Sequence, residues 1–387
     1  MATAASSSPR EAVSVPFTLE HNRVLVWAHR AGSPASERGL RVWVDTGNPE
    51  LWLTAQAARR LGFDPEAPPA SPPVPLVVGG LEVPLDAAWP PLVVEGKRLG
   101  PGLDADINLP STLLRRYDLL IDFPARRLRL SLPGRTELPG RRVAARVNRA
   151  NGLVQVSALV AGIGPCELGV DVGATVSFLS SERFAAAGRH PSWPRFEGAI
   201  SFANMWGSPD EATWPLLRVP AVWVAGTALR GVVFTSLPAA MMPALEERAA
   251  GPLAGLLGGA ALLDRTLGIS WASESVYFGN RTAGRATDEM DVVALVLRPE
   301  GDGRYRVIAV PAAEGRPAVP GVLPGDILAA VDSHPVQGLG MGAVWGLLRG
   351  RPGEARRLTI ERNDVRIDVA ATIRRFLETT RRTQSKE

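Results

Sequence analysis

The chain has 387 residues, 45% of them hydrophobic, and a formal net charge of +4, which suits two or three globular domains. The positive charge is almost all arginine scattered among acidic residues, with no basic block interleaved with aromatic residues, so nucleic-acid binding is not expected. The single cysteine, Cys166, excludes an internal disulfide and a cysteine-based zinc site, and the four histidines lack metal-ligand spacing; no metal or cofactor is expected.

The two ends of the chain, residues 1–16 and 377–387, are polar or charged, and we predict disordered tails there. The N-terminus lacks the basic start and apolar core of a signal peptide, and the glycine-rich run 251–263 is too short to span a membrane. We therefore expect no membrane span. The expected location is cytoplasmic if the chain is complete as printed, and periplasmic or exported if a signal segment was removed.

Between the tails, short apolar runs separated by Gly, Pro and Asp predict a mainly β fold. Residues 22–63 contain two strands, the second ending in Asp45-Thr46-Gly47, then another apolar stretch and a short amphipathic helix. Taken alone, this Asp-Thr-Gly is explained by a turn, because Asp caps turns and Gly accepts a positive φ.

The same order of elements recurs in residues 152–188, where the second strand ends in Asp171-Val172-Gly173. Residues 104–134 and 254–280 also match each other, each with a small apolar strand, a helical turn and a hairpin. Such repetition predicts two copies of one β-rich lobe: a first lobe over 17–138 and a second lobe over 139–282.

The pattern changes after residue 282. Residues 288–376 contain two strands, a Gly325-Asp326 turn leading into another strand, a short helix and a closing hairpin. This length and pattern predict a compact α+β third domain.

If the two Asp-x-Gly turns face each other, the two carboxylates lie close together and share one proton. One then acts as a general base on water and the other as a general acid toward a carbonyl oxygen, which hydrolyses a peptide bond without a metal. Gly47 and Gly173 fit this arrangement because a side chain there would obstruct the approaching loop.

The two halves resemble the lobes of aspartic proteases, specifically the bacterial retropepsin-like group with both lobes in one chain. The matched segments are VDTGN at 44–48 and VDVGAT at 170–175, each followed by a hydrophobic segment and by helices at 55–62 and 181–187. The later apolar-apolar-Gly element matches Leu256, Leu257 and Gly258, with Asn108 in place of glycine in the first lobe.

The resemblance implies an aspartic endopeptidase acting on polypeptides. It assigns catalysis to Asp45 and Asp171, and the active-site loops to Thr46, Gly47, Asn48, Val172, Gly173 and Ala174. Two complete lobes remove any need to dimerise, so a monomer is expected. A non-catalytic peptide-binding protein on the same fold remains an alternative, as does a glycosidase, whose two carboxylates stand at least about 5 Å apart.

The second Asp-x-Gly motif departs from the family pattern, because Val172 stands where the family has a Thr or Ser that braces the opposite loop. Losing one such buried hydrogen bond costs about 1 kcal/mol, and Thr46 is expected to brace from its own side. Asn48, followed by Pro49, either donates to Asp45 or caps a turn. With few hydroxyl donors near the acids, we predict a less acidic pH optimum than stomach-type enzymes show.

A hairpin over residues 199–214, with Met205, Trp206 and Gly207 at its tip, is the candidate flap over the cleft. The alternative is a surface hairpin whose Trp packs on its own lobe. In the first lobe, residues 76–85 are short for a flap.

The third domain resembles a bacterial PDZ domain, and Gly325 and Asp326 match the turn of that family. The resemblance implies capture of a peptide C-terminus by strand addition at a sheet edge. No Gly-Leu-Gly-Phe-type loop precedes residues 305–310, so packing on the protease-like lobes is the alternative role.

Overall fold

Short strands dominate the computed structural model, which describes residues 11–34, 36–63, 73–86, 90–100, 102–196, 213–282, 290–313 and 315–378. The prediction of a mainly β chain with two barrel-like lobes is confirmed. In these residues no helix is both long and apolar enough to cross a membrane.

The first lobe is built on strands that alternate buried and less buried residues. Its elements are β1 (Ala12–Pro16), β2 (Thr18–Glu20), β3 (Arg23–Arg30), β4 (Leu40–Val44), β5 (Trp52–Thr54), α1 (Ala55–Leu61), β6 (Leu76–Val78), β7 (Leu81–Val83), β8 (Leu92–Val94), β9 (Ile107–Leu109), α2 (Ser111–Leu114), β10 (Asp118–Asp122) and β11 (Arg127–Ser131). In β4, Leu40, Val42 and Val44 are buried in the lobe core, which leaves Trp43 on the opposite face.

The main sheet of the first lobe has the order β7-β6-β3-β4-β9-β5-β8, with β2 paired to β3. Strand β9 runs parallel to β4 and antiparallel to β5. The loop that begins at Asp45 connects β4 to β5. Because β9 pairs with both of these strands, the loop is fixed at each of its ends by backbone pairing.

The second lobe repeats this plan. Its elements are β12 (Arg141–Ala144), β13 (Arg146–Val147), β14 (Val154–Val160), β15 (Gly164–Asp171), β16 (Ser177–Ser180), α3 (Ser181–Gly188), β17 (Arg195–Phe196), β18 (Leu216–Val224), β19 (Thr227–Leu237), a 3₁₀ turn (Ala239–Met241), α4 (Met242–Arg248), β20 (Gly255–Gly258), a second 3₁₀ turn (Gly259–Leu262), β21 (Thr266–Ser270) and β22 (Ser275–Phe278).

The sheet of the second lobe has the order β13-β14-β15-β20-β16-β19-β18-β17, and an additional β14–β18 pairing closes it toward a barrel. Strand β20 is parallel to β15 and antiparallel to β16, as β9 is to its neighbours. The two equivalent helices also begin alike: Thr54 caps α1 by accepting from Ala57 N, and Ser180 caps α3 by accepting from Arg183 N.

A six-stranded sheet joins the lobes in the order β1-β11-β10-β21-β22-β12. At its centre, β10 of the first lobe pairs antiparallel with β21 of the second. The lobes are therefore fixed to each other by backbone hydrogen bonds.

The strand register corrects the predicted alignment of the late apolar element. Asp171 pairs with Gly258 and Val170 with Leu257, while Val44 pairs with Leu109. The residue equivalent to Gly258 is therefore Pro110, and Asn108 is equivalent to Leu256. The prediction that Asn108 replaces the family glycine is wrong, because pairing with β4 sets the register.

The third domain contains β23 (Asp291–Val292), β24 (Val296–Pro299), β25 (Tyr305–Ala309), β26 (Ala312–Ala313), β27 (Arg316–Pro317), β28 (Ile327–Val331), β29 (His334–Pro335), α5 (Met341–Leu348), β30 (Ala355–Arg362), β31 (Val365–Thr372) and β32 (Arg374–Arg375). Its main sheet has the order β24-β25-β28-β30-β31, with β29 paired to β28. Its core is continuous with side chains of both lobes.

Both predicted tails extend too far into the folded chain. Residues 12–16 form β1, which pairs with β11 and buries Val13 and Val15. Leu377 is also buried, and its carbonyl accepts from Arg218 Nε at 2.7 Å. The remaining tail residues, 1–10 and 379–387, lie outside the described residues.

Candidate active site

Asp45 and Asp171 occupy equivalent positions at the ends of β4 and β15. The backbone N–H of Asp45 donates to Leu109 O at 3.0 Å, which fixes the start of its loop against β9. Asp171 lies at the last paired position of β15, opposite Gly258 of β20. Both carboxylates are withdrawn from solvent, with 2% of Asp45 and 5% of Asp171 exposed.

The two Asp-x-Gly loops interlock. A Cβ added at Gly47 would lie 2.1 Å from Asp171 Cγ, and one added at Gly173 would lie 2.2 Å from Asp45 Oδ1. Each carboxylate therefore lies against the glycine of the opposite loop. Glycine is required at both positions because any side chain would displace the acid of the other lobe.

Thr46 links the loops. Its hydroxyl donates to Val170 O at 2.8 Å and accepts from Val172 N at 3.0 Å, and the group is fully buried. Both bonds cross between the lobes. Val172 has no hydroxyl with which to return them, so this cross-lobe brace comes from the first lobe.

Asn48 caps its own turn. Its Oδ1 accepts from Glu50 N and its Nδ2 donates to Glu50 O, both at 3.2 Å. The side chain thus takes the second of its two predicted roles, while the backbone N–H of Asn48 donates to Asp45. On the other loop, the N–H groups of Gly173 and Ala174 donate to Asp171 Oδ1 at 2.8 and 3.1 Å.

Burial perturbs both acids. It raises the pKa of Asp45 well above its usual range, and the nearby Asp171 raises it further, while the Gly47 N–H, Arg23 and the Asn48 N–H act in the opposite direction. Burial raises the pKa of Asp171 to about 6, although the N–H groups of Gly173 and Ala174, which donate to its carboxylate, act to lower it. Two adjacent acids with raised pKa values are a feature of sites that transfer protons.

Arg23 is a site residue that the sequence reasoning missed. It is 4% exposed, its Nε donates to Glu20 O at 3.2 Å, and its guanidinium lies 5.9 Å from the ring centroid of Trp43. Burial lowers the pKa of Arg23 to about 10, so it remains a cation at neutral pH. The sequence contains a signal for Arg23. Period-two alternation puts Arg23 and Leu25 on one face of β3, and Leu25 pairs with Trp43 of β4, the strand that leads to Asp45.

The remaining predicted residues are the candidate flap and the turn of the third domain. The flap residues Met205, Trp206 and Gly207 lie outside the described residues. Asp326 of the third domain accepts from Arg362 at 2.7 and 2.8 Å, and this pairing lowers the pKa of Asp326. Gly325 has φ +98°. These two residues shape a turn within their own domain.

A metal site was not expected, and the described ranges contain no group of three or more His, Cys, Asp or Glu residues arranged to hold one. At the dyad, the backbone N–H groups of Gly47 and Gly173 donate and the carboxylates of Asp45 and Asp171 accept.

Comparison with known proteins finds similarity among solved structures. No family model matches the chain, and no curated protein matches its sequence. Among solved structures, the aspartic proteinase from Irpex lacteus matches with 14% sequence identity and a TM-score of 0.42, covering 72% of this chain and 99% of that one.

Proposed function

We propose that the chain is an aspartic endopeptidase of the bacterial retropepsin-like type, with Asp45 and Asp171 as its catalytic dyad. The observation that carries the proposal is the interlocking of the two Asp-x-Gly loops, each acid lying against the glycine opposite. This closeness favours a pair sharing one proton over the separated carboxylates of a glycosidase.

The reaction follows from the order in which the two acids ionise. Above about pH 6, Asp171 is ionised while Asp45 retains its proton, because the charge on Asp171 opposes a second ionisation. Asp171 takes a proton from water, whose oxygen bonds to the scissile carbonyl carbon, while Asp45 donates its proton to the carbonyl oxygen. The C–N bond then breaks as Asp171 passes the proton it took from water to the leaving nitrogen, and Asp45 recovers a proton from a hydroxyl of the tetrahedral intermediate as the carbonyl re-forms.

The third domain is proposed to be PDZ-like, with a role in peptide recognition or regulation of access. Support comes from the sequence resemblance around Gly325 and Asp326 and from a six-stranded sheet accompanied by the helix α5. Packing of the same domain on both lobes supports this role in access to the cleft.

The test is hydrolysis of an unfolded protein and a peptide library by the full chain and by Asp45→Asn and Asp171→Asn. We expect each substitution to reduce kcat/KM by at least about a thousandfold, since it removes the acid or the base. Asp302→Asn, on the exposed surface, is the matched control and should retain wild-type activity. Peptide binding by the wild type and by Asp45→Asn without hydrolysis by either would instead identify a non-catalytic binding protein, the alternative that Val172 keeps open.

A further inference from the structure

One flank of the dyad is formed by Trp43 and Arg23. Trp43 lies two residues before Asp45 and faces away from the lobe core, and its Cζ2 is 3.0 Å from where a Cβ of Gly173 would be. The Arg23 guanidinium lies over the same indole ring. An extended chain that leaves the dyad on this side must therefore pass Trp43 and Arg23, which we call the Arg23 flank.

The third domain covers the Arg23 flank. Trp43 packs on a hydrophobic cluster that includes Leu25 of the first lobe and Tyr305 and Met341 of the third domain. His21, two residues before Arg23, has its ring 4.9 Å from the ring of Trp345 in the third domain. This cover explains why a charged side chain beside the dyad has almost no contact with solvent.

On the first lobe, the third domain docks through the start of α5. Met341 N donates to Gly102 O at 2.7 Å, and Gly342 N donates to Glu20 Oε1 at 2.5 Å. Arg98 Nη1 donates to Leu339 O at 3.1 Å, just before the helix. Backbone groups of the helix terminus are thus used in the contact, which fixes its orientation.

On the second lobe, the domain docks through the end of the folded chain. Phe376 meets Phe196 edge-to-face with centroids 5.1 Å apart, and Arg218 Nε donates to Leu377 O at 2.7 Å. Phe196 and Arg218 belong to β17 and β18. The third domain therefore contacts both lobes, and on the first lobe it does so at the Arg23 flank, where Glu20 O accepts from Arg23 Nε.

We infer that the docked third domain closes the cleft on the Arg23 flank, so that the docked enzyme cleaves peptides that end close to the scissile bond on that side. Cleavage within a longer chain then requires the third domain to lift away from the lobes. This inference rests on the proposed peptidase activity and adds to it a substrate class: peptides with one free end near the cleaved bond.

The first measurement uses the full chain and a nested series of peptides. One cleaved bond is mapped by mass spectrometry, and the peptide is then lengthened by steps on one side or on the other. We expect lengthening on the side that passes the Arg23 flank to reduce kcat/KM by at least about tenfold. Lengthening on the other side should leave kcat/KM unchanged.

The second measurement uses two glycines of α5 as a matched pair. A Cβ at Gly342 would lie 2.6 Å from Glu20 Cα and from His21 N, which are backbone atoms, whereas a Cβ at Gly346 has nothing within 4 Å. Both changes replace Gly in α5 with Ala, which has the higher helix propensity. Gly342→Ala should separate the domain from the first lobe and raise the ratio of long-peptide to short-peptide kcat/KM by at least about tenfold, with Gly346→Ala unchanged.

If Gly342→Ala does not fold, Arg98→Ala replaces it, because it removes the bonds to the Gly338 and Leu339 carbonyls. The inference is overturned if peptides lengthened on either side are cleaved equally. It is also overturned if the ratio of long-peptide to short-peptide kcat/KM is the same in Gly342→Ala, or in its substitute Arg98→Ala, as in Gly346→Ala. Either result leaves the peptidase activity standing. If no variant cleaves any peptide, the proposed function fails and the inference fails with it.

Discussion

At the scale of single residues, the two acids of the dyad are chemically distinct although the loops repeat each other. Arg23 acts on Asp45, where its positive charge opposes the rise in pKa caused by burial and by Asp171. The equivalent face of the second lobe has Gly169 where the first has Trp43, because each lies two residues before its acid. The Arg23–Trp43 pair therefore lies beside Asp45 without a counterpart at Gly169, which makes the surroundings of the two acids different.

These ionisations predict a pH–rate profile that rises through about pH 6, since below it both acids are protonated and no base is available. The profile falls at higher pH when Asp45 loses its proton and no acid remains. Arg23→Met should raise the pKa of Asp45 further and move this alkaline limb upward by roughly one pH unit, leaving the rise near pH 6 in place. The measurement is kcat/KM against pH.

Arg23→Lys is the control for that experiment, because it retains a cation and should keep the wild-type limb. An acidic limb at the pKa of an ordinary exposed carboxyl, or a profile peaking near pH 2, would contradict the burial argument. It would also contradict the less acidic optimum expected from the sequence.

At the scale of elements, the two lobes hold equivalent strands together in different ways. In the second lobe, β16 and β20 pair at two positions, and a Cβ at Gly255 would lie 2.0 Å from Phe178 O. In the first lobe, β5 and β9 pair at one position only. The Asn108 side chain adds two hydrogen bonds between β9 and residues 50–52: its Oδ1 accepts from Trp52 N at 2.7 Å, and its Nδ2 donates to Glu50 O at 3.0 Å.

Asn108→Leu, which installs the residue found at the equivalent position of the second lobe, should therefore destabilise the protein. It leaves the Trp52 N–H without its partner, at a cost of about 1–3 kcal/mol, and removes one of the two donors to the Glu50 carbonyl, which keeps Asn48 Nδ2. Urea unfolding measures the change. Gln337→Leu is the control, because its amide is exposed and the change should stay within about 0.5 kcal/mol. Equal effects of the two substitutions would show that Asn108 is not structural.

The same elements show what sequence reasoning reaches. The repeated strand-turn-strand-helix order was enough to predict the two β-rich lobes, because alternation and turn residues act locally. The register of β9 was missed, because a three-residue strand fits several alignments until its hydrogen bonds with β4 select one. Strand β1 was missed because its partner β11 lies far along the chain, and five residues carry little signal alone.

At the scale of the whole molecule, the three parts share their interior. The hydrophobic cluster of the third domain includes Leu25 and Leu103 of the first lobe and Leu216 and Val233 of the second. The lobes are in turn joined by the β10–β21 pairing. Composition and turn signals suggested a separate third domain, and they carry no information on this packing, because it joins residues distant in sequence.

A shared interior predicts that the chain unfolds in one cooperative transition, with calorimetric and van't Hoff enthalpies in agreement. Leu103→Ala removes a first-lobe side chain from that interior, at a cost of roughly 2–5 kcal/mol, and should lower the midpoint of the single transition. Leu323→Ala, on the exposed surface of the third domain, is the matched control and should leave the midpoint unchanged. Two resolved transitions in the wild type, with only one of them moved by Leu103→Ala, would mean that the third domain folds apart from the lobes. The single transition is expected because removing the third domain from the lobes exposes apolar side chains on both. The hydrophobic effect therefore opposes separation of the third domain in the same way as it opposes unfolding.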